Sequence, residues 1–348
     1  MSSSVASERP ASAERSASAE RSASGEDSLI ARYFRPLATD PGAFELGDDA
    51  AALKAHGDDI VVTTDAIVEG VHFLPDDPAD TIACKALRVN LSDLAAKGAV
   101  PAGFVLTLAL RKAEEAWLKP FAQALGRDAI QYGCPLLGGD TVSTAGPLMI
   151  SITAFGRVAP GKMVHRSGAK PGDLVVVTGM IGDAALGLNV LQHGTAAAAL
   201  ADDAAARELL VGRYRVPQPR NALAKAVRDH AQAAMDVSDG LAGDLAKLCA
   251  ASGMSAVIEA ASIPLSAAAS GLLARGIVGI EAIVSGGDDY EILCVIPPTG
   301  LEAFKQAAQT AEVPVAVIGK IVSGASSPRF LDRQGREIAL PRLSYSHF

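Results

Sequence analysis

Aromatic residues are scarce in this chain of 348 residues, at 4 % of the sequence. A binding surface made of stacked rings, which many single-strand nucleic-acid binders use, is therefore not expected. Apolar residues nevertheless make up 49 %, chiefly as Ala, Val, Leu and Ile. That composition is typical of helices packed on β-sheets, and the length allows two domains with separate cores.

Cysteine is also rare, and its four positions form neither a C-x-x-C pair nor a zinc-ligand spacing. These are Cys84, Cys134, Cys249 and Cys294. A disulfide-rich secreted fold would look different. No run approaches the roughly 18 consecutive apolar residues of a membrane span. We therefore expect reduced thiols, a cytoplasmic location and no membrane contact.

Positive charge is in short supply, because 31 Lys and Arg face 39 Asp and Glu for a net charge of −8. No Lys/Arg-rich block is present, so nucleic-acid binding is not expected. An acidic protein that binds an anion such as ATP needs cations between the two.

Several well-known signatures are missing. The sequence has no G-x-x-x-x-G-K-[ST] P-loop and no H-R-D followed by D-F-G, which disfavours P-loop enzymes and protein kinases. It also lacks an EF-hand calcium loop and a G-x-G-x-x-G following a strand. Calcium sensing and dinucleotide binding are therefore unsupported.

The chain divides into a tail and two larger parts. Residues 1–26 repeat Ser, Ala, Glu and Arg, and they have too little apolar surface to fold alone, so we expect a disordered tail. The Gly- and Pro-containing segment 157–172 indicates a domain junction. We predict an N-terminal domain at 27–158 and a C-terminal domain at 159–348. Strands and helices mix in both, which favours an α/β (α+β mixed) fold.

Hydrophobic periodicity predicts the individual elements. The predicted helices are 28–34, 78–96, 114–132, 183–191, 221–232, 239–251 and 301–310. The predicted strands are 59–65, 102–110, 148–158, 173–178, 233–237, 256–259, 291–296 and 313–318.

Aspartates recur beside Gly, Ser or Thr where strands are expected to end or helices to begin. The six motifs contain Asp48, Asp65, Asp93, Asp140, Asp236 with Asp239, and Asp288 with Asp289. Any one of them alone is better explained as a helix cap or a turn. Six together favour Mg²⁺-dependent phosphate handling, because Mg²⁺ takes carboxylate and phosphate oxygens and offsets their charge. Glycines nearby add backbone N–H donors for phosphate.

The ordered motifs resemble those of thiamine-monophosphate kinases, from about Gly25 to the C-terminus. They are GDDAA from Gly47, TTDAIVEGVHF from Thr63, NLSDLAA from Asn90, GGDT from Gly138, RSGAKPGD from Arg166, DVSDGL from Asp236 and SGGDDYE from Ser285. The resemblance implies the two-domain fold of the aminoimidazole-ribonucleotide-synthetase-like superfamily, with N-terminal domains whose sheets pair in a homodimer. It also implies direct in-line transfer of the γ-phosphoryl group of ATP to thiamine monophosphate, with several Mg²⁺ ions.

The resemblance assigns roles motif by motif. Implied Mg²⁺ ligands are Asp48, Thr63, Thr64, Asp65, Asp93, Asp140, Asp236 and Asp239. Implied ATP contacts are Gly139, Asp140, Arg166 and Ser238. Implied substrate contacts are His72, Asp288 and Tyr345. No residue is expected to act as a covalent nucleophile or an essential general base, because the attacking phosphate oxygen is already anionic.

Two alternatives stay open. One is another ATP-dependent synthetase of the superfamily, although selenophosphate synthetases usually carry a reactive cysteine before the position of Cys84. The other is a relative that binds Mg²⁺ and ATP without catalysis. One departure also stands out: the family usually has glutamate where this chain has Asp288.

Overall fold

The first half of the chain is a four-stranded sheet backed by two long helices. The computed structural model describes residues 29–46 and 53–343. Short helical turns at Ile30–Phe34, Arg35–Leu37 and Pro41–Leu46 come first. The elements that follow are β1 (Asp59–Val68), α1 (Ala79–Ala96), β2 (Val100–Leu110), α2 (Glu115–Gln131), β3 (Leu136–Ser143) and β4 (Met149–Val158).

The strands of this first sheet lie in the order β1-β4-β2-β3. All pairs are antiparallel except β2 and β3, which run parallel. Side chains alternate between two faces along each strand. One face packs on α1 and α2, where Leu106 and Ile152 share a core with Leu87 and Phe121. The opposite face, called the outer face below, carries the 57 % exposed Val62.

The second half contains a six-stranded sheet with the order β10-β7-β9-β5-β8-β6. Its strands are β5 (Leu174–Thr178), β6 (Ala233–Asp236), β7 (Met254–Glu259), β8 (Ile292–Ile296), β9 (Val315–Ser323) and β10 (Arg329–Leu331). Its helices are α3 (Asp183–Leu191), α4 (Thr195–Ala199), α5 (Ala204–Arg215), α6 (Ala224–His230), α7 (Leu241–Ser252), α8 (Ala267–Ala274), α9 (Ile280–Val284) and α10 (Leu301–Thr310). Short 3-10 turns lie at Asn221–Leu223, Ala260–Ser262 and Pro298–Gly300.

Both faces of the second sheet are buried. One face packs on α7 through Leu241 and Leu245. The other packs on α6 and α10, and the last turn of α1 joins that core through Ala95 and Ala96. A helix of the first half therefore ends inside the core of the second.

Hydrogen bonds fix the C-terminal end of α1 against the second half. Lys97 Nζ donates to the Ala234 carbonyl at 2.8 Å, and Asn221 Nδ2 donates to the Leu91 carbonyl at 3.1 Å. This end of α1 carries Asp93, so that side chain lies at the seam between the two sheets.

The α/β fold expected from the sequence is confirmed, and most predicted elements are present. Helices 183–191 and 301–310 have the predicted bounds. The helix predicted at 221–232 is split into the 3-10 turn Asn221–Leu223 and α6. Helices α4, α5, α8 and α9 and strands β3 and β10 were not predicted. The predicted tail, residues 1–26, lies outside the described residues.

Among residues 29–46 and 53–343, none of the helices combines the length and the apolar character that crossing a membrane requires.

Candidate active site

Two acidic side chains from different elements approach each other on the helix-facing side of the first sheet. Asp65 lies within β1 and Asp93 near the end of α1. Thr63, two residues before Asp65 and on the same face of β1, donates its hydroxyl to the Asp93 carboxylate. Burial and the negative charge of Asp93 raise the pKa of Asp65 to about 6. The two carboxylates are therefore close enough to repel each other.

A third carboxylate comes from the other half of the chain. Asp236 is the last residue of β6 and is buried. Burial and the charge of Asp93 raise its pKa well above the usual value, Asp65 adds to the repulsion, and a hydrogen bond from Ser92 partly offsets it. Asp65, Asp93 and Asp236, called the acidic cluster below, thus meet from three elements. Like charges in a buried site favour a bound cation.

Asp65 and Asp93 lie in elements that the sequence predicted, whereas Asp140 does not. Asp65 lies within β1, which continues to Val68 beyond the predicted strand 59–65, and Asp93 lies within α1, where a helix was expected over 78–96. Asp140 lies within β3, which was not predicted. Gly-Gly-Asp favours a turn locally, but pairing with β2 makes this segment a strand.

A cavity of about 610 Å³ opens beside the acidic cluster. Thr63 and Asp93 line it, together with the cations Lys97 and Arg166 and with His165. Its apolar wall is formed by Val61, Val62, Leu94, Met163, Val164 and Ala251. A cavity with cations beside carboxylates, and with an apolar wall, fits an anionic chain attached to a less polar body.

Lys97 was missed by the motif analysis, although it directly follows NLSDLAA. Burial and the nearby positive charge of Arg166 lower its pKa. Two cations held together at one cavity indicate that the ligand there is an anion.

The SGGDDYE segment lies directly against the DVSDGL segment. The backbone N–H of Asp288 donates to the Ser238 carbonyl, and that of Tyr290 donates to the Val237 carbonyl, both at 2.8 Å. Gly287 allows this approach, because a Cβ there would lie 2.6 Å from the Ser238 carbonyl oxygen. Asp288 has φ +72° and Tyr290 +50°, both in the left-handed region. Such conformations occur where the surrounding structure enforces them, often at functional sites.

Tyr290 connects this segment to the acidic cluster. Burial, followed by the charges of Asp288, Asp65 and Asp236, raises the pKa of its hydroxyl well above the usual value. The motif analysis did not single it out, although it lies inside SGGDDYE.

The two described residues expected on the substrate side come together. His72 Nδ1 accepts from the Val68 N–H at 3.1 Å, and the His72 carbonyl accepts from Lys85 at 2.7 Å. The same Lys85 ammonium donates to Asp288 at 2.9 Å. Lys85 was not predicted, although a lysine on the α1 face shared by Ile82 and Val89 is unusual enough to have drawn notice.

Two predicted residues of DVSDGL have other contacts. The Asp239 carboxylate accepts from Lys247 at 2.5 Å, and Lys247 also contacts Asp244 at 2.9 Å. Asp244 in turn accepts from the backbone N–H groups of Ser238 and Asp239, both at 3.0 Å. Asp239 is therefore paired with a cation in this arrangement.

Other predicted residues lie on the outer face or at the far edge of the first sheet. The Thr64 side chain points away from Thr63 and bonds Thr153 at 2.9 Å. The strand register aligns Asp140 with Thr107, Ser151 and Ala66 on the outer face. Three strand spacings separate β3 from β1, which is about 14 Å. Gly139 lies beside Asp140 on the same edge strand. Within one chain, Asp140 does not join the acidic cluster.

Asp48 and Tyr345 lie outside the described residues.

The acidic cluster suits an ion that is shared with a ligand. Within the two described ranges, no three or more His, Cys, Asp or Glu side chains are arranged to hold a metal ion. Mg²⁺ often takes only one or two carboxylates and completes its shell with water and phosphate oxygens. Burial and the charge of Asp93 raise the pKa of Asp65 and of Asp236. Carboxylates in this situation, beside a cavity lined by Lys97 and Arg166, fit Mg²⁺ bound together with phosphate.

The fold and this interdomain site define the AIR synthase related proteins. The chain matches the N-terminal domain of that class over residues 47–158 and its C-terminal domain over residues 170–330. Thiamine-monophosphate kinase of Caulobacter vibrioides is 43 % identical over 324 residues, which cover 91 % of this chain and 89 % of that protein. This chain belongs to the thiamine-monophosphate kinase family, which confirms the resemblance drawn from its motifs.

Solved structures agree with that membership. Thiamine-monophosphate kinase from Stenotrophomonas maltophilia K279a is similar with a TM-score of 0.77 and 37 % identity, covering 90 % of this chain and 96 % of that one. AaThiL complexed with AMPPCP and TMP has a TM-score of 0.73 and 28 % identity, covering 87 % of this chain and 91 % of that one.

Proposed function

We propose that this protein transfers the γ-phosphoryl group of ATP to thiamine monophosphate, giving thiamine diphosphate and ADP. The observation that carries the proposal is the acidic cluster, which lies beside a cavity containing Lys97 and Arg166. Relatives that share most of the chain's length carry the name of this kinase, and AaThiL has been solved with AMPPCP and TMP.

The cavity side of the site is proposed to bind ATP. Arg166 and Lys97 would neutralise phosphate oxygens, and the apolar wall would contact the nucleoside. Ser238 is proposed as a further nucleotide contact. Mg²⁺ held by the residues named next would supply positive charge that reduces the repulsion between two polyanions. The proposed ligands are the acidic cluster with Asp48, Thr63, Thr64, Asp140 and Asp239, with Thr64 acting through its backbone oxygen.

His72, Asp288 and Tyr345 are proposed to bind the acceptor. Because the attacking phosphate oxygen is already anionic, the residues around it need only position it in line with the γ-phosphorus. We therefore propose direct transfer, without a phosphorylated enzyme. We also propose the division into domains at 27–158 and 159–348, which the two separate sheets support. His72 belongs to the first of these parts and Asp288 to the second.

We further propose a homodimer formed through the first sheet. Its outer face exposes Val62 at 57 % and Val142 at 42 %, an apolar surface that a second copy would cover. The same face carries Asp140, which is separated from the acidic cluster of its own chain. A partner on this face would let Gly139 and Asp140 of one copy complete the site of the other. The free cysteines Cys84, Cys134, Cys249 and Cys294 support a reducing, cytoplasmic location.

Mixing two inactive variants tests the shared site. Asp93→Ala and Asp140→Ala homodimers should each be inactive. If sites are shared, a mixed dimer has one intact site, and random reassociation of equal amounts should restore about a quarter of wild-type activity. The mixture should be shown by mass spectrometry to contain mixed dimers. If it then recovers no activity, Asp140 does not act in the site of the partner copy.

ADP release from MgATP tests the reaction itself. We expect release to require thiamine monophosphate and to yield thiamine diphosphate in equal amount, with Asp93→Ala as the inactive control. Release that instead needs an aminoimidazole ribonucleotide precursor or selenide would point to another synthetase of the class. MgATP binding by calorimetry without turnover on any acceptor would indicate a binding protein. A phosphorylated enzyme trapped with ATP alone would overturn direct transfer.

A further inference from the structure

Lys85 is a buried cation at the seam between the two halves. It lies in α1, and only 1 % of the residue is exposed. Burying an ammonium group is strongly unfavourable unless its hydrogen-bonding capacity is satisfied. Its partners therefore indicate why the chain keeps a lysine at this position.

Those partners come from three separate segments. Nζ of Lys85 lies 2.7 Å from the His72 carbonyl oxygen and 2.9 Å from Asp288 Oδ2. It also lies 3.8 Å from the centre of the Tyr214 ring, a cation–π distance. The Tyr214 hydroxyl donates to the same His72 carbonyl at 3.3 Å. These contacts of the ammonium group are therefore all to protein groups on the two sides of the seam.

The residues that Lys85 joins are the two described members of the proposed acceptor side. His72 belongs to the first half, and Asp288 lies 203 residues away along the chain. Because Lys85 Nζ lies within 3 Å of both the His72 carbonyl oxygen and the Asp288 carboxylate, it fixes the distance between these two groups. Asp288 is shorter by one methylene than the glutamate usual at this position, so its side chain has one rotatable bond fewer. Its backbone is held by the N–H bond to the Ser238 carbonyl at 2.8 Å, and its carboxylate therefore has a shorter reach.

We propose that Lys85 is a positioning residue for the phosphate acceptor: it sets the spacing between the His72 turn and the Asp288 carboxylate across the seam. This inference rests on the proposed function, because that function assigns both residues to the acceptor. Lys85 should accordingly affect binding of thiamine monophosphate far more than binding of ATP, whose proposed cavity is lined by other residues.

A second ion pair across the seam provides a matched control. Arg215 Nε donates to Asp77 at 2.6 Å, and this pair also joins the two halves and is largely buried. Neither His72 nor Asp288 is a member of this pair, and Asp77 also accepts from the Leu74 N–H at 2.8 Å. Arg215→Met thus removes an interdomain pair and keeps the Lys85 contacts to His72 and Asp288.

The experiment compares Lys85→Met with Arg215→Met in the full-length protein, measuring KM for each substrate and Tm. We expect Lys85→Met to raise KM for thiamine monophosphate by about 30-fold or more, as for loss of one member of a buried charge pair. KM for ATP should change less than about threefold in both variants. Arg215→Met should lower Tm without raising KM for thiamine monophosphate. An unchanged KM for thiamine monophosphate in Lys85→Met would overturn the inference.

A double variant separates positioning from folding. In Lys85→Met with Asp288→Asn no acidic side chain is left unpaired, so the protein should fold even if Lys85→Met alone does not. If Lys85 acts through Asp288, the double variant should have the same KM for thiamine monophosphate as Asp288→Asn alone. If instead the double variant raises this KM by the product of the two single-variant factors, the inference is contradicted. A wild-type protein that does not use thiamine monophosphate would overturn the proposed function, and this inference with it.

Discussion

Glu291 and the acidic cluster differ in what neutralises their negative charge. Glu291, wholly buried, accepts from Arg220 Nε, Arg213 Nη2 and Thr178 Oγ1, each at 2.7 Å. In the acidic cluster, by contrast, burial and the negative charge of Asp93 raise the pKa of Asp65 and of Asp236. Glu291 carries its counter-ions within the protein, whereas the acidic cluster is suited to a cation that arrives with the ligand. A carboxylate that is paired with cations of its own chain is thus expected to be structural, and one that lacks such cations is expected to be functional.

The packing around Glu291 supports its structural role. Gly179 adopts φ +59°, and a Cβ there would lie 1.9 Å from Glu291 Oε1. A glycine is therefore required for the carboxylate to fit between β5 and the two arginines.

Removing Glu291 should have the largest effect on stability. Glu291→Ala leaves Arg213 and Arg220 buried without their partner, and loss of one member of a buried pair costs about 3–5 kcal/mol. Urea denaturation should report that decrease in the free energy of unfolding. Asp236→Asn is the matched control, since it removes an acid with like-charged neighbours and should not destabilise the metal-free protein. Equal destabilisation by both variants would break the distinction between the two groups.

Asp93→Ala should affect activity rather than folding. The negative charge of Asp93 contributes to the raised pKa of both Asp65 and Asp236. We expect kcat to fall on the order of 10²–10³-fold, as for loss of a major electrostatic contact in a transition state, while the far-UV circular dichroism spectrum stays unchanged. A near-normal kcat with Mg²⁺ would show that the cluster does not hold the catalytic ions.

The pH dependence of stability should reveal Asp65. Its pKa is about 6 in the folded chain, against an ordinary value of 3.8. Between these values the folded state binds more protons than the unfolded state, so stability falls as pH rises. Each pKa unit corresponds to about 1.4 kcal/mol, so the free energy of unfolding should fall by roughly 2–3 kcal/mol. The fall should be complete above about pH 6.

Denaturation in EDTA from pH 4 to 7.5 measures this loss. Asp65→Asn should remove this part of the pH dependence, so the difference between the wild-type and variant profiles measures it, and Mg²⁺ should restore stability chiefly at the upper end. A wild-type profile that falls no more steeply than that of Asp65→Asn would show that Asp65 is neutralised within the chain, as Glu291 is.

The sequence predicted the elements with strong periodicity and the chemistry of the motifs, because both depend on local pattern. Helix α1 and the helices 183–191 and 301–310 followed from apolar spacing alone. Strand β3 was missed because Gly-Gly-Asp disfavours a strand locally, and only pairing with β2 establishes it. The position of Asp140 on the outer face depends on the same register. Lys85 was missed because its partners lie far away in the sequence.

An exposed ion pair gives the smallest expected effect and completes the comparison. Lys225 and Asp229 pair on the surface of α6, with 77 % and 37 % of their side chains exposed. Water and salt screen such a pair, and the ordering of two flexible side chains opposes it. Lys225→Ala should therefore change the free energy of unfolding by less than about 0.5 kcal/mol and leave kcat unchanged. Urea denaturation at low and high salt measures it. A loss as large as that of Glu291→Ala would mean that pairing alone, without burial, determines how much a carboxylate stabilises this protein.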